Sequence, residues 1–280
     1  MKRILKKAAM GLTALVLAAC ASTTAPEEKN VITVGATAVP HAQILEEAVK
    51  PLLEKEGWEL EVTVFNDYVQ PNTSVEDGTL DANYYQTIRY MNEENKNRGL
   101  HLRAVAGVHL EPMGLYSAKI KQLSELSDGA EIAIPNDSSN ESRALKLLED
   151  SGLLRLKDDV TLYTPHDIVE NPHSFQFTEI ESPSLTRTLE DVDAAVINGN
   201  YALQAGLSPL TDALVSETAD GSQAPYHINY IVVKDGNQNT EKIEALCKAI
   251  HSEEVRDYIA KTYSGSVIPA FTDGNGNPLQ

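Results

Sequence analysis

Four short segments gather the side chains able to do chemistry, and three of them follow a short apolar run. Phe65 leads into Asn66-Asp67-Tyr68-Val69-Gln70-Pro71-Asn72, and Asp81–Tyr90 packs Tyr84, Tyr85 and Tyr90 into seven residues. Ile132–Ile134 leads into Pro135-Asn136-Asp137-Ser138-Ser139-Asn140 and a helical stretch containing Arg143. Ala194–Ile197 ends at Asn198-Gly199-Asn200-Tyr201. Asn, Asp and Ser cap helix starts, where free N–H groups and the helix dipole favour an anion. Together the four segments offer a cationic fork, amides and aromatic walls, which is the chemistry of holding a small polar molecule.

Signs of catalysis are missing. No G-x-x-x-x-G-K-[ST] phosphate loop, G-x-S-x-G elbow or H-E-x-x-H motif occurs, and no Cys pair has metal spacing. The seven histidines (His41, His101, His109, His166, His173, His227 and His251) are scattered without a tight cluster, so neither a metal nor a cofactor is expected. An exported hydrolase would need a nucleophile and base in hydrogen-bond reach, which sequence alone does not supply. The expectation is a binding protein and not an enzyme.

The elements that position these segments follow from the hydrophobic pattern. Val31–Gly35, Leu60–Val64, Leu102–Val108, Glu131–Ile134, Phe175–Ile180, Ala194–Ile197 and Ile228–Val233 read as strands. His41–Glu56, Glu141–Asp150, Leu185–Asp191, Glu241–His251 and Glu253–Tyr263 read as helices, with Pro51 expected to kink or split the first. Strands separated by helical stretches indicate βαβ units, hence an α/β class with mainly parallel sheets. Ligands in open α/β sheets bind outside the carboxyl ends of the strands, which is where the four segments fall.

The N-terminus adds an address. Met1-Lys2-Arg3-Ile4-Leu5-Lys6-Lys7 precedes the apolar and small residues Ala8–Ala19, and Cys20 follows Leu17-Ala18-Ala19. A basic flank, a short apolar stretch and a small-residue cleavage site form a secretory signal, and the cysteine after it marks a bacterial lipoprotein. Residues 1–19 are expected to be removed, Cys20 to carry lipid, and residues 20–30 to form a flexible tether. Lipid on Cys20 then makes the membrane a partner, with the body on the extracytoplasmic face. The chain has 23 Lys+Arg against 41 Asp+Glu. Removal of residues 1–19 takes four bases and no acid, moving the net charge from −18 to −22. Such an acidic body repels nucleic acid. Cys247 is the only other cysteine, so no disulfide framework supports the fold. The roughly 250 remaining residues suit two lobes of about 120 each.

The stretches VGATAVPHAQILE, FNDYVQPN, DANYYQ, VHLEPMGLYS, IAIPNDSSNESRAL, VENP, ESPSLTRTLEDVDAAVINGNYA and GSVIPAF resemble the NlpA-type lipoproteins, the methionine-binding receptors of an ABC importer. The resemblance implies a two-lobed periplasmic-binding-protein fold with two crossover segments. Residues 31–117 plus 230–280 would form one lobe and 118–229 the other. It further implies that Arg143 grips a ligand carboxylate, that Asn198 and Asn229 hold the amino-acid backbone, and that Tyr68, Tyr85 and Tyr90 line the side-chain pocket. Thr87 stands where the family often has His, and the segment Pro225–Asn229 runs one residue longer than the usual pattern. The implied partners are an ABC permease with its ATPase, served by a monomer. Alternatives are the same fold with a different amino acid or short peptide, or a surface lipoprotein with no transport role.

Overall fold

The computed structural model describes residues 30–218 and 224–279. The lipidation candidate Cys20 and the leader before it lie outside the described residues. The chain opens with β1 (Val31–Thr37), followed by π-helical turns at Ala38–Ala42 and Leu45–Val49 that run into α1 (Lys50–Lys55). Pro51 does not break this helix. Proline has no N–H and its ring crowds the carbonyl four residues back. The turn before it is widened, so that the Lys50 N–H donates to the Leu45 carbonyl five residues away.

β2 (Glu59–Phe65), α2 (Gln70–Glu76), β3 (Ala82–Thr87), α3 (Ile88–Arg98) and β4 (Leu102–Leu110) complete the first half, and β5 (Gly114–Tyr116) follows. Then come β6 (Glu131–Pro135), α4 (Ser138–Asp150), the small hairpin β7 (Arg155–Leu156) and β8 (Ile168–Glu170), and β9 (Gln176–Ile180). β10 (Ala194–Ile197), α5 (Gly199–Gln204) and β11 (Val215–Ser216) precede β12 (Ile228–Lys234), α6 (Glu241–Ile250), α7 (Glu253–Tyr263) and β13 (Ile268–Asp273). The helix expected over Leu185–Asp191 is instead a tight 3₁₀ stretch at Ser182–Thr188 that begins with Ser-Pro-Ser.

Two sheets result. The first runs β13-β4-β12-β3-β1-β2 and the second β11-β5-β10-β6-β9. The parallel pairings expected from the βαβ pattern join β1 to β2 and β3, and β6 to β9 and β10. The rest of each sheet is antiparallel, because β12 and β13 return beside β4 and β5 reverses beside β10. Both sheets are therefore mixed. β5 already belongs to the second sheet, so the chain leaves the first after Leu110, earlier than residue 117. It is back in the first by Ile228.

Each sheet has its own core. Ile32, Val34 and Ala36 of β1 are fully buried against Ile44, Leu45, Val49 and Leu53 on one side of the chain, with Ile243, Leu246, Ile250 and Ile259 joining them. In the second, Ile132, Ile134 and Val196 pack on Ala144, Leu145 and Leu148 of α4. Each fully buried Leu or Ile contributes about 1.5–3 kcal/mol. Cys247 is half-buried against the first core, and burial pushes its thiol up to about 12. Among the described residues, no helix is long and apolar enough to cross a membrane.

Candidate functional site

The strand ends of the two sheets converge on one cavity. From the first sheet, register places Thr87, Asn229 and His109 side by side on β3, β12 and β4. Thr87 also caps α3, its Oγ1 accepting the Tyr90 N–H at 3.3 Å. From the second sheet, β6 ends at Pro135 and Asp137 caps α4, accepting the Asn140 N–H at 2.9 Å. Asn140 and Arg143, three residues apart, then share a helix face. β10 ends at Ile197, and Asn198 and Gly199 follow at once. All seven residues predicted to bind ligand, Tyr68, Tyr85, Thr87, Tyr90, Arg143, Asn198 and Asn229, line this cavity. Gln86, Glu111, Asn140, Gly199 and Asn200 line it too.

Tyrosines form one wall. Tyr68 lies 5.6 Å from both Tyr85 and Tyr90 and 5.0 Å from Tyr201, between ring centroids. Tyr85 and Tyr90 donate to the Tyr68 carbonyl at 2.6 and 3.3 Å. Two bonds cross between the sheets here: Tyr68 Oη donates to Asn200 Oδ1 at 2.5 Å, and Tyr201 Oη donates to the Asn66 carbonyl at 3.3 Å. Asp67 fixes the Tyr68 loop by accepting the N–H groups of Val69 and Gln70. Below it, Asn72, Asn83 and Gln86 bond one another in a fully buried amide cluster.

Arg143 differs from expectation. The family resemblance implied a guanidinium that grips a ligand carboxylate, which two parallel bonds would do. Its Nε and Nη2 instead donate to Glu217 at 2.8 and 2.5 Å, and Nη2 also donates to the Glu111 carbonyl at 2.8 Å. That leaves Nη1, which takes no acceptor among the described residues. Burial opposes the arginine's charge, but Glu217 outweighs it and holds the guanidinium above its usual range. Burial likewise pushes Glu217 up, and Arg143 brings it below the ordinary carboxylate value. Glu217 also accepts the Met113 N–H at 2.9 Å. His227 sits 3.4 Å away, lowered to about 3 by burial and by Arg143.

A chain of amides sets the polarity of Asn198. The Asp137 carboxylate accepts from Asn140 Nδ2 at 3.0 Å, which turns Asn140 Oδ1 toward Asn198. Asn198 Nδ2 donates to it at 2.8 Å, so Asn198 presents its carbonyl oxygen elsewhere. That Oδ1 is buried without a protein partner, as is Nδ2 of Asn200. Buried polar atoms without partners are uncommon and costly, and these two sit on residues that line the cavity. On the other side, Asn229 Oδ1 lies 3.1 Å from His41 Nε2.

Sequence reasoning missed Glu217 and Glu111, and named Asn140 and Asn200 only as members of the strand-end segments. Glu111 occupies the crossover and also lines the cavity. The histidines expected to be scattered include two that the fold unites, since His41 and His109 both meet Glu111. Their separation in sequence hides this. Glu217 lies in a weakly patterned segment that gives no signal.

A two-sheet α/β protein whose strand ends face each other across a cavity of one arginine, several amides and a tyrosine wall is a small-molecule binding protein. The NlpA lipoprotein family model matches residues 32–271, and the chain belongs to that family. It is 40% identical over 276 residues to the methionine-binding lipoprotein MetQ of Bacillus subtilis, covering 96% of this chain and 99% of the relative. A lipoprotein structure from Ruminococcus gnavus is similar at TM-score 0.84 and 48% identity, covering 86% of this chain and 99% of that one. A nutrient-binding protein from Burkholderia cenocepacia bound to methionine matches at TM-score 0.81 and 39% identity, covering 86% and 100%.

Proposed function

We propose that this chain is a lipid-anchored extracytoplasmic receptor that captures methionine for an ABC importer. One observation carries the reading. A single cavity is lined by Arg143, whose Nη1 takes no acceptor among the described residues, by Asn198, whose Oδ1 has no protein partner, and by a wall of tyrosines. A zwitterion with an apolar side chain matches all three: its carboxylate takes the guanidinium donors, its ammonium donates to Asn198 Oδ1, and its side chain lies against the rings. Thioethers make favourable contacts with aromatic rings, which favours methionine over aliphatic amino acids. The names of the relatives point the same way. Asn229 and Thr87, paired across β12 and β3, complete the lining, and Thr87 brings no ring to it.

In this reading the two sheets are the centres of two lobes that close on the ligand. The Tyr68–Asn200 and Tyr201–Asn66 bonds belong to the closed form. The ligand stabilises closure by the difference in its affinity for closed and open states. Lipid on Cys20 holds the receptor near a permease and its ATPase, and the receptor acts as a monomer. Mass spectrometry of the molecule released on denaturing the purified protein tests the reading, together with calorimetric titration of L- and D-methionine, the other amino acids and methionine dipeptides. Methionine released and bound most tightly is the expected outcome. Tight binding of a different amino acid or a dipeptide with no methionine response overturns the ligand assignment.

A further inference from the structure

Behind the Arg143–Glu217 pair lies a second cavity, of about 500 Å³. Small-molecule sites occupy roughly 300–1,000 Å³. Among the described residues, Arg143 alone lines both this cavity and the tyrosine-walled one. The ion pair is therefore a partition, with Glu217 lining the second cavity and not the first.

The walls are anchored. Arg143, Lys146, Leu147 and Asp150 of α4 line the cavity at spacings of three, four and seven residues, which is one helix face. The Val160–Tyr163 segment is tied to the same helix, since the Tyr163 N–H donates to Ser142 Oγ at 3.0 Å. Val215 and Ser216 form β11, which pairs with β5. Arg89, the second residue of α3, brings a side chain from the half of the chain that builds the first sheet.

This lining offers two kinds of surface. Leu147, Val160 and Val215 give it an apolar part. Three cations line it, Arg89, Arg143 and Lys146, against two carboxylates, Asp150 and Glu217. The count leaves one positive charge in excess, on a chain whose net charge is −18. His227 adds none, because burial lowers it to about 3. Arg143 is committed to Glu217, Lys146 pairs with Asp150 and Glu149, and Arg89 lies 5.2 Å over the Tyr226 ring. A positive lining favours an anion and opposes an ammonium. Guanidinium and ammonium groups bind acidic oxygens through charge-assisted hydrogen bonds.

We propose that this second cavity is a binding site for an organic monoanion with an apolar body. Its acidic group lies at Arg89 and Lys146, and its body lies against Leu147, Val160 and Val215. The site goes beyond the receptor reading and does not depend on which ligand fills the first cavity.

The test uses anilinonaphthalene sulfonate as the anionic probe and phenylnaphthylamine, the same aromatic body without the acid, as its control. Both are titrated by fluorescence into the native chain, Arg89→Gln, Arg89→Lys and Val160→Trp, with and without saturating methionine. The native chain should bind one sulfonate saturably in either condition. Loss of a charged hydrogen bond corresponds to about tenfold or more, so the uncharged dye should bind more weakly by at least that factor. Arg89→Gln should weaken the sulfonate at least about fivefold and leave the uncharged dye unchanged, with Arg89→Lys in between. Val160 lies outside both large sheets, and Val160→Trp should fill the cavity and abolish saturable binding of both dyes. A native chain with no saturable sulfonate binding overturns the proposal, as does competitive displacement of the sulfonate by methionine. Equal affinity for the two dyes overturns it by removing the acid subsite. Unchanged sulfonate binding in a folded Val160→Trp or Arg89→Gln overturns it by placing the probe elsewhere.

Discussion

Replacing Arg143 with Met keeps the side chain's length and removes its charge, leaving Glu217 buried beside a hydrocarbon. In the folded protein Arg143 is 8% exposed and makes three bonds, two to Glu217 and one to the Glu111 carbonyl. Glu217 is itself largely buried, at 16% exposure, with the Met113 N–H as its other donor. Removing one member of a buried pair costs about 3–5 kcal/mol, because the remaining charge is uncompensated. For a protein of this size each kcal/mol moves the melting temperature by about 2–4 °C, so ligand-free Arg143→Met should melt about 6–20 °C lower. Adding Glu217→Gln removes the stranded charge while keeping an acceptor for Met113, and should recover most of the loss. The double variant should still bind methionine at least about tenfold more weakly, since the Nη1 donors are gone. Differential scanning calorimetry and isothermal titration on the three proteins read both effects. A ligand-free Arg143→Met that melts within about 2 °C of the native chain refutes the reasoning, because the pair then contributes nothing and the arginine is the free clamp that the family resemblance implied.

Two further outcomes are expected. Gly199→Ala should weaken methionine binding about tenfold or more in titration calorimetry, since its Cβ would meet Glu111 and also the Pro112 carbonyl at 3.2 Å. Its ligand-free melting temperature should barely move if the sheets separate without ligand. His41, His109 and His227 should all remain neutral at pH 5 in nitrogen-detected NMR, because burial lowers them to about 4, 3 and 3. The unfolded chain binds more protons than the folded one between those values and about 6.5. Their contribution to stability is therefore complete above pH 6.5 and lost as the pH falls toward 4 and 3. A protonated ring signature for any of the three at pH 5 contradicts the buried arrangement.

Strands with an apolar run were legible in the sequence: β1, β2, β4, β6, β9, β10 and β12 all fall where the pattern places them. β3 was not. Ala82-Asn83-Tyr84-Tyr85-Gln86-Thr87 looks polar, yet it lies inside the first sheet between β1 and β12. Its Asn83 and Gln86 are buried because Asn72 satisfies them, and a sequence does not display that partnership. Helix limits shifted for local reasons as well, α4 starting at Ser138 because Asp137 caps it.

Residue types at strand ends marked the segments that carry Tyr68, Tyr85, Tyr90, Arg143 and Asn198, and the resemblance to the NlpA-type lipoproteins nominated these residues together with Thr87 and Asn229. Their gathering around one cavity is a tertiary result, as is everything that sets their charge. Glu217 reaches Arg143, and His41 reaches Glu111 and Asn229, only through sheet pairing and crossover. Desolvation and hydrogen-bond direction then decide which donors and acceptors remain for a ligand. Composition and local pattern determine which elements form and which side chains they carry. The packing of distant segments decides which of those side chains are already spoken for, because burial makes each unpaired charge or amide costly enough to dictate its partner.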